Sequence, residues 1–178
     1  LHGVKDYVGM AMHLLEYPEM RCTINLVPSL LVQILAYTDK GATDQFLQAA
    51  RIPAKDLGRQ EALFLLDHYF MANHEHMIKP WPRFWELLQL RSATSQSAQE
   101  ALRRFGEREL RDLQTLYNLA WIHPLIFESD IDLKQLREKG KNYTEAEKNF
   151  VLDKHIAIMK QIIPLHRKLA ESGQVELT

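Results

Sequence analysis

The sequence predicts a mostly α-helical chain with two short strands, at about 21–27 and 174–178, belonging to an α/β protein with a parallel sheet. Three observations lead there. Apolar residues recur at three- and four-residue steps through most of the chain, which is the pattern of amphipathic helices. Two stretches break that period with short, apolar, β-rich runs. Each lies beside a helix, and strands joined by helices usually belong to a larger parallel sheet, since two strands alone hold together poorly in water. The expectation is therefore a piece of a larger α/β protein, cut at both ends.

The elements follow in order. Val4, Tyr7, Val8, Ala11, Leu14 and Leu15 line one face of a helix that runs up to Pro18. Arg21 to Val27 is short, β-branched and bounded by prolines, and reads as a strand. Pro28 suits the first turn of the next helix, where its missing N–H has no intrahelical partner. Leu30, Leu31, Ile34 and Leu35 supply that helix's apolar face, and Gly41 follows its end. Leu57 to Met71, Pro82 to Leu90, Ala98 to Phe105 and Glu107 to Trp121 then read as successive helices. This helical array predicts a subdomain at about 42–143, with the small polar stretch Ser92 to Ser97 as a mobile loop. Thr144 and Glu147 form a capping box that opens the last helix. Val151, Ile158, Met159, Ile162 and Leu169 line that helix, Pro164 should kink it, and Gly173 should end it. The second strand follows.

Length and composition bound the function. At 178 residues the chain is the size of one domain, and 46% hydrophobic with 25% charged residues is a globular balance rather than a disordered one. A formal net charge of -1 removes the simplest electrostatic case for nucleic acid or an anionic membrane, and neither partner is expected. The single cysteine, Cys22, excludes an internal disulfide and a four-cysteine zinc site, and its apolar neighbours predict a small buried side chain. The apolar runs are too short to span a bilayer. With no signal peptide visible, a cytoplasmic location is expected, although the chain begins at Leu1 rather than Met.

Few residues invite chemistry. His74-Glu75-His76 admits a metal reading, but residues two apart on a helix point about 200° from one another. A solvated helix end suits these residues better, and no metal or cofactor is expected. Trp85, among Phe84, Leu87 and Leu88, reads as core. Trp121 precedes Ile122-His123-Pro124, where a helix should end, so both a sugar-binding role and packing fit it. Asn25 and Glu176 stand out because each is polar within or beside an apolar strand, and a buried carboxylate is costly unless paired. Parallel sheets gather active-site groups at the carboxyl ends of their strands. A strand-end cap for Asn25 and an exposed position for Glu176 are the alternatives. No Gly-rich phosphate loop, G-x-S-x-G elbow or basic-aromatic stripe is present.

The stretches L-H-G-V-K-D-Y, E-Y-P-E-M-R-C-T-I-N-L-V-P-S-L-L and G-Q-V-E-L resemble glycoside hydrolase family 57 from end to end, with a looser match through the helical middle. Members of that family act on α-glucans as amylases, glucanotransferases and branching enzymes, on an incomplete (β/α)7 barrel. The resemblance implies that residues 1–178 are part of such a catalytic domain, with α-glucan or oligosaccharide as substrate. Gly173, Gln174, Val175 and Glu176 match the family's second motif, which implies that Glu176 lies beside the bound sugar, with Asn25 and Trp121 as further cleft residues. The family's catalytic glutamate and aspartate belong to motifs beyond Thr178, so no catalytic residue is expected among these 178. Many relatives carry Tyr-Asp where this chain has Val8-Gly9, and some place His at the position of Asn25. A helical interaction module that buries its two strands against a partner is the competing expectation.

Overall fold

The computed structural model describes residues 1–92 and 97–178. The expected mobile loop therefore falls largely on 93–96, outside the described residues. These residues divide into two compact units: Leu1–Thr43 with Ile122–Ser129 and Asp153–Thr178, and Asp44–Trp121 with Asp130–Leu152.

In the first unit a π-helical opening, Gly3–Tyr7, leads into α1 (Val8–Glu16). The strand β1 (Cys22–Ile24) precedes α2 (Pro28–Asp39), which begins with its proline in the first turn. Helix α8 (Pro124–Ser129), the C-terminal two-thirds of α10 (Glu145–Glu171) and β2 (Val175–Leu177) complete the unit. The two strands run parallel, with Cys22, Thr23 and Ile24 opposite Val175, Glu176 and Leu177. Backbone hydrogen bonds from Thr178 N–H to Ile24 O (3.1 Å) and from Leu26 N–H to Thr178 O (3.0 Å) carry the pairing one step past each strand. Beneath the ribbon, Val175 packs with Ala11, Leu14 and Leu169, and Ile24 and Leu165 close the edge of that cluster.

Every regular element among the second unit's described residues is a helix. The unit holds α3 (Gln45–Arg51), α4 (Arg59–His68), α5 (Pro82–Ser92), α6 (Ala98–Ala101), α7 (Glu107–Ala120), α9 (Ile131–Lys139) and the first turns of α10. Helix α7 runs through its centre, with Leu110, Leu113, Leu116, Tyr117 and Leu119 all buried. Several polar groups inside it are paired, although Gln114 Oε1 is buried without a hydrogen-bond donor. Asp112, fully buried, receives Arg83 Nε (3.1 Å) and the Tyr143 N–H (3.0 Å). Gln114 Nε2 donates to the carbonyls of Ala49 (2.7 Å) and Ile52 (3.0 Å). Lys148, also fully buried, donates to the same Ile52 oxygen (2.7 Å) and pairs with Glu145 (2.7 Å). Burial holds the Lys148 ammonium below its ordinary range, against the pull of Glu145. The predicted capping box forms: Thr144 Oγ1 accepts from the Glu147 N–H (3.2 Å), and Glu147 accepts from the Thr144 N–H (2.7 Å).

Four expectations are corrected. An α/β organisation on an incomplete (β/α)7 barrel is not what the structure contains: it is mostly helical with two short parallel strands, and no barrel is present among the described residues. The physical reason is connectivity. A barrel needs strand and helix in alternation, and among the described residues helix follows helix from α2 to α10 with no strand between Ile24 and Val175. The strands are three residues each, shorter than 21–27 and 174–178. Cys22 is exposed rather than buried, because β1 has a neighbouring strand on one side only and the apolar cover reaches Val175 but not its partner. Trp85, expected in the core, is half-buried with the Lys79 ammonium 5.2 Å above its ring. Among the described residues, no helix is long and apolar enough to cross a membrane.

Candidate functional site

The G-Q-V-E stretch becomes a small piece of engineering once each residue is placed. Gly173 adopts φ +71, a left-handed backbone that costs most side chains energy, and so turns the chain out of α10. Its carbonyl accepts from the Arg21 guanidinium, which ties the start of one strand to the approach of the other. Gln174 is buried, and its Nε2 donates to the carbonyl oxygens of Leu14 and of Tyr17 (3.0 Å). Those oxygens belong to the carboxyl end of α1, where backbone acceptors lack intrahelical donors. Val175 then enters the apolar cluster, and the two-residue period of a strand points Glu176 to the opposite face.

That opposite face is polar. Glu176 lies across from Thr23, whose Oγ1 donates to Glu176 Oε2 at 3.2 Å. Asn25, two residues beyond Thr23, falls on the same side at the carboxyl end of β1. Thr23, Asn25, Glu176 and Thr178 are all exposed. The parallel pair is thus apolar below and carries a carboxylate, an amide and two hydroxyls above. Such a set can donate to and accept from neutral hydroxyl-rich molecules. Sequence patterning singled out Asn25 and Glu176 but missed Thr23, which reads as an ordinary β-branched strand residue.

Trp121 belongs to the other unit. Its ring meets Tyr117 edge-on at 6.4 Å, at the end of an aromatic cluster in which Tyr117 stacks on Tyr69 at 4.4 Å and on Phe46 at 6.2 Å. Burial lifts the Tyr117 hydroxyl to about 12, partly offset by its hydrogen bond with Trp121. The structure therefore brings Glu176 and Asn25 together, and places Trp121 among packed rings. His74, Glu75 and His76 form a π-helical turn whose Glu75 carboxylate pairs with Lys79, and among the described residues no group of three or more His, Cys, Asp or Glu side chains is arranged to hold a metal.

A second polar grouping in the first unit went unread in the sequence. His123 and His13 meet edge-to-face with ring centroids 5.1 Å apart, and the His123 ring lies directly over Gly9. A Cβ at Gly9 would sit 2.3 Å from His123 Cδ2, so the glycine makes room for the imidazole. Compared with models of protein families, with curated proteins and with solved structures, the chain matches none of them.

Proposed function

We propose that this chain is the sugar-contacting part of an enzyme that hydrolyses or transfers α-glucosidic bonds with retention of configuration. The observation that supports it is the outward-facing Glu176, which follows the buried Gln174 and Val175 and shares a polar, hydroxyl-compatible face with Thr23 and Asn25. Glu176 accepts hydrogen bonds from sugar hydroxyls, and Asn25 offers both donor and acceptor to the same ring. Retaining chemistry needs two carboxyl groups about 5–5.5 Å apart, one as nucleophile and one as acid and base. On this reading that pair comes from outside these 178 residues, and Glu176 orients the substrate without attacking it.

The test is release of reducing ends from a soluble α-glucan by the complete polypeptide that carries this chain. Glu176→Gln keeps the shape and removes the charge. Losing one charge-assisted hydrogen bond, worth about 1.5–3 kcal/mol, should lower kcat/KM by about 10- to 100-fold. Unchanged turnover in a folded Glu176→Gln variant removes Glu176 from the site. Absence of turnover on any α-glucan removes the enzymatic reading.

A second reading, an interaction module without catalysis, is favoured by the first unit's apolar surface. Val32 on α2 is 65% exposed, and Tyr17 and Met20 are also largely exposed. This reading expects no turnover, and a loss of self-association or partner binding when Val32 and Leu35 are both changed to Gln.

A further inference from the structure

The second unit contains a cavity of about 220 Å³ between α3 and α4 that no part of the reading above uses. Gln45 and Gln48 approach it from α3, and Gln60 and Glu61 from α4. Its apolar part is the Phe64 ring together with Ala49 and Ile52. Among the described residues, the side chains of these three glutamines and of Glu61 hydrogen-bond no other protein group. Four convergent polar side chains thus keep their full bonding capacity around one hollow.

The apolar part of the lining is packed in place. Phe64 is wedged between Phe46 (5.2 Å, edge-on) and His68 (4.5 Å). The backbone behind Ala49 and Ile52 is pinned by Gln114, and Ile52 by Lys148 as well. Gly58 leaves space for the Glu61 carboxylate, since a Cβ there would stand 2.4 Å from Glu61 Oε2. Pre-set walls lower the ordering cost of binding.

The lining selects a ligand class. Among the described residues no cation lines the cavity and one carboxylate does, which disfavours phosphates and carboxylic acids. Four polar groups disfavour a hydrocarbon. Primary amides both donate and accept, as hydroxyl groups do, and an aromatic face suits the C–H side of a sugar ring. At about 220 Å³ the space lies below the about 300–1,000 Å³ of pockets for larger ligands, and fits one ring. We propose that this cavity binds a single neutral hexose unit, its C–H side against the Phe64 ring, with Gln48, Gln60 and Glu61 bonding its hydroxyls. The choice of a glucosyl ring rests on the α-glucan reading above, and makes the cavity an anchoring subsite apart from Glu176.

The experiment is a titration of the whole chain with glucose and with maltose, following the side-chain amide signals of Gln45, Gln48 and Gln60 by two-dimensional NMR. The expected result is saturable movement of these signals with Kd of about 1–10 mM, weakened about 10-fold in Glu61→Ala and in Gln48→Ala. Both changed residues are at the surface rim, and Gly58→Ala, which displaces the Glu61 carboxylate, should weaken binding without touching a sugar contact. Glu176→Gln should leave this Kd unaltered. Silent amides with both sugars, equal shifts from inorganic phosphate, or sugar shifts indifferent to Glu61→Ala and Gln48→Ala would each overturn the proposal. Turnover by the complete polypeptide reads the α-glucan function separately: turnover with a silent cavity sinks the subsite alone, and a binding cavity without turnover sinks the enzymatic reading alone.

Discussion

His123 titrates against its surroundings. Its Nδ1 accepts from the Leu125 N–H at 3.4 Å, its ring edge rests on Gly9, and His13 stands edge-on to it. Burial, then the charge of His13 and of Lys5, holds its pKa below the ordinary 6.5, with Asp6 and Glu16 pulling the other way. In the window between the folded value and 6.5, the unfolded chain binds more protons than the folded one, so stability rises with pH there. The contribution is complete above about 6.5 and disappears as the pH falls through the folded value. The thermal midpoint should therefore drop as the pH falls below about 6.5, and His123→Gln should flatten that slope. An identical slope in the variant would show that other groups carry it. At the neighbouring position, Gly9→Ala drives a methyl group into the imidazole and should cost about 1–3 kcal/mol.

At the scale of elements, helix α2 is the odd member. It has no charged residue from Pro28 to Thr38, yet only Ile34 is buried. Helix α7 buries ten of its fourteen residues. Since local opening is cheapest where few apolar side chains are buried, the α2 amides should exchange hydrogen much faster than those of α7 in a native-state exchange experiment. Equal protection would mean that α2 is covered in solution. Gln174 offers a second check on an element, because its amide holds the end of α1; Gln174→Ala should cost about 1–3 kcal/mol by stranding two carbonyls, read as a lower urea midpoint.

Much of this level was legible. Pro28 marks a first turn, Thr144 and Glu147 cap α10, and Gly173 ends it, because each acts on backbone within four residues of itself. What lay beyond reach was long-range. Thr23 and Glu176 are 153 positions apart, and the Gln174 contacts span about as much chain, so neither the bond nor the anchor leaves a local trace. Strand propensity likewise marked two strands correctly but carried no count of the strands between them, and the expected barrel failed on that count. The cavity lining was invisible for another reason: glutamines on the outer faces of two helices read as solvent-exposed polar positions until the helices are placed side by side.

On the scale of the whole molecule, the chain makes two units by interleaving, and α10 contributes residues to both. The second unit depends on polar groups taken out of water. Lys148→Met removes the donor to Ile52 O and the cation beside Glu145, and should lower stability by about 2–3 kcal/mol, since Glu145 keeps partial access to solvent. Gln114→Met removes the other donor to the same oxygen. Residues acting on one acceptor are not independent, so the double variant should depart from additivity by more than about 0.5 kcal/mol in a urea-unfolding cycle. Strict additivity would mean that the two grips are separate.

Both grips close on a main-chain oxygen. The peptide unit joining Ile52 to Pro53 has an acceptor but no N–H, and two side chains from distant parts of the sequence converge on it. Whatever side chain occupies position 52, that oxygen remains. An alanine scan through this region would record Ile52 as ordinary apolar packing and pass over the junction altogether. The residue that organises the hollow beside it is thus tolerant of substitution and indispensable in place, a combination that only the removal of its partners can reveal.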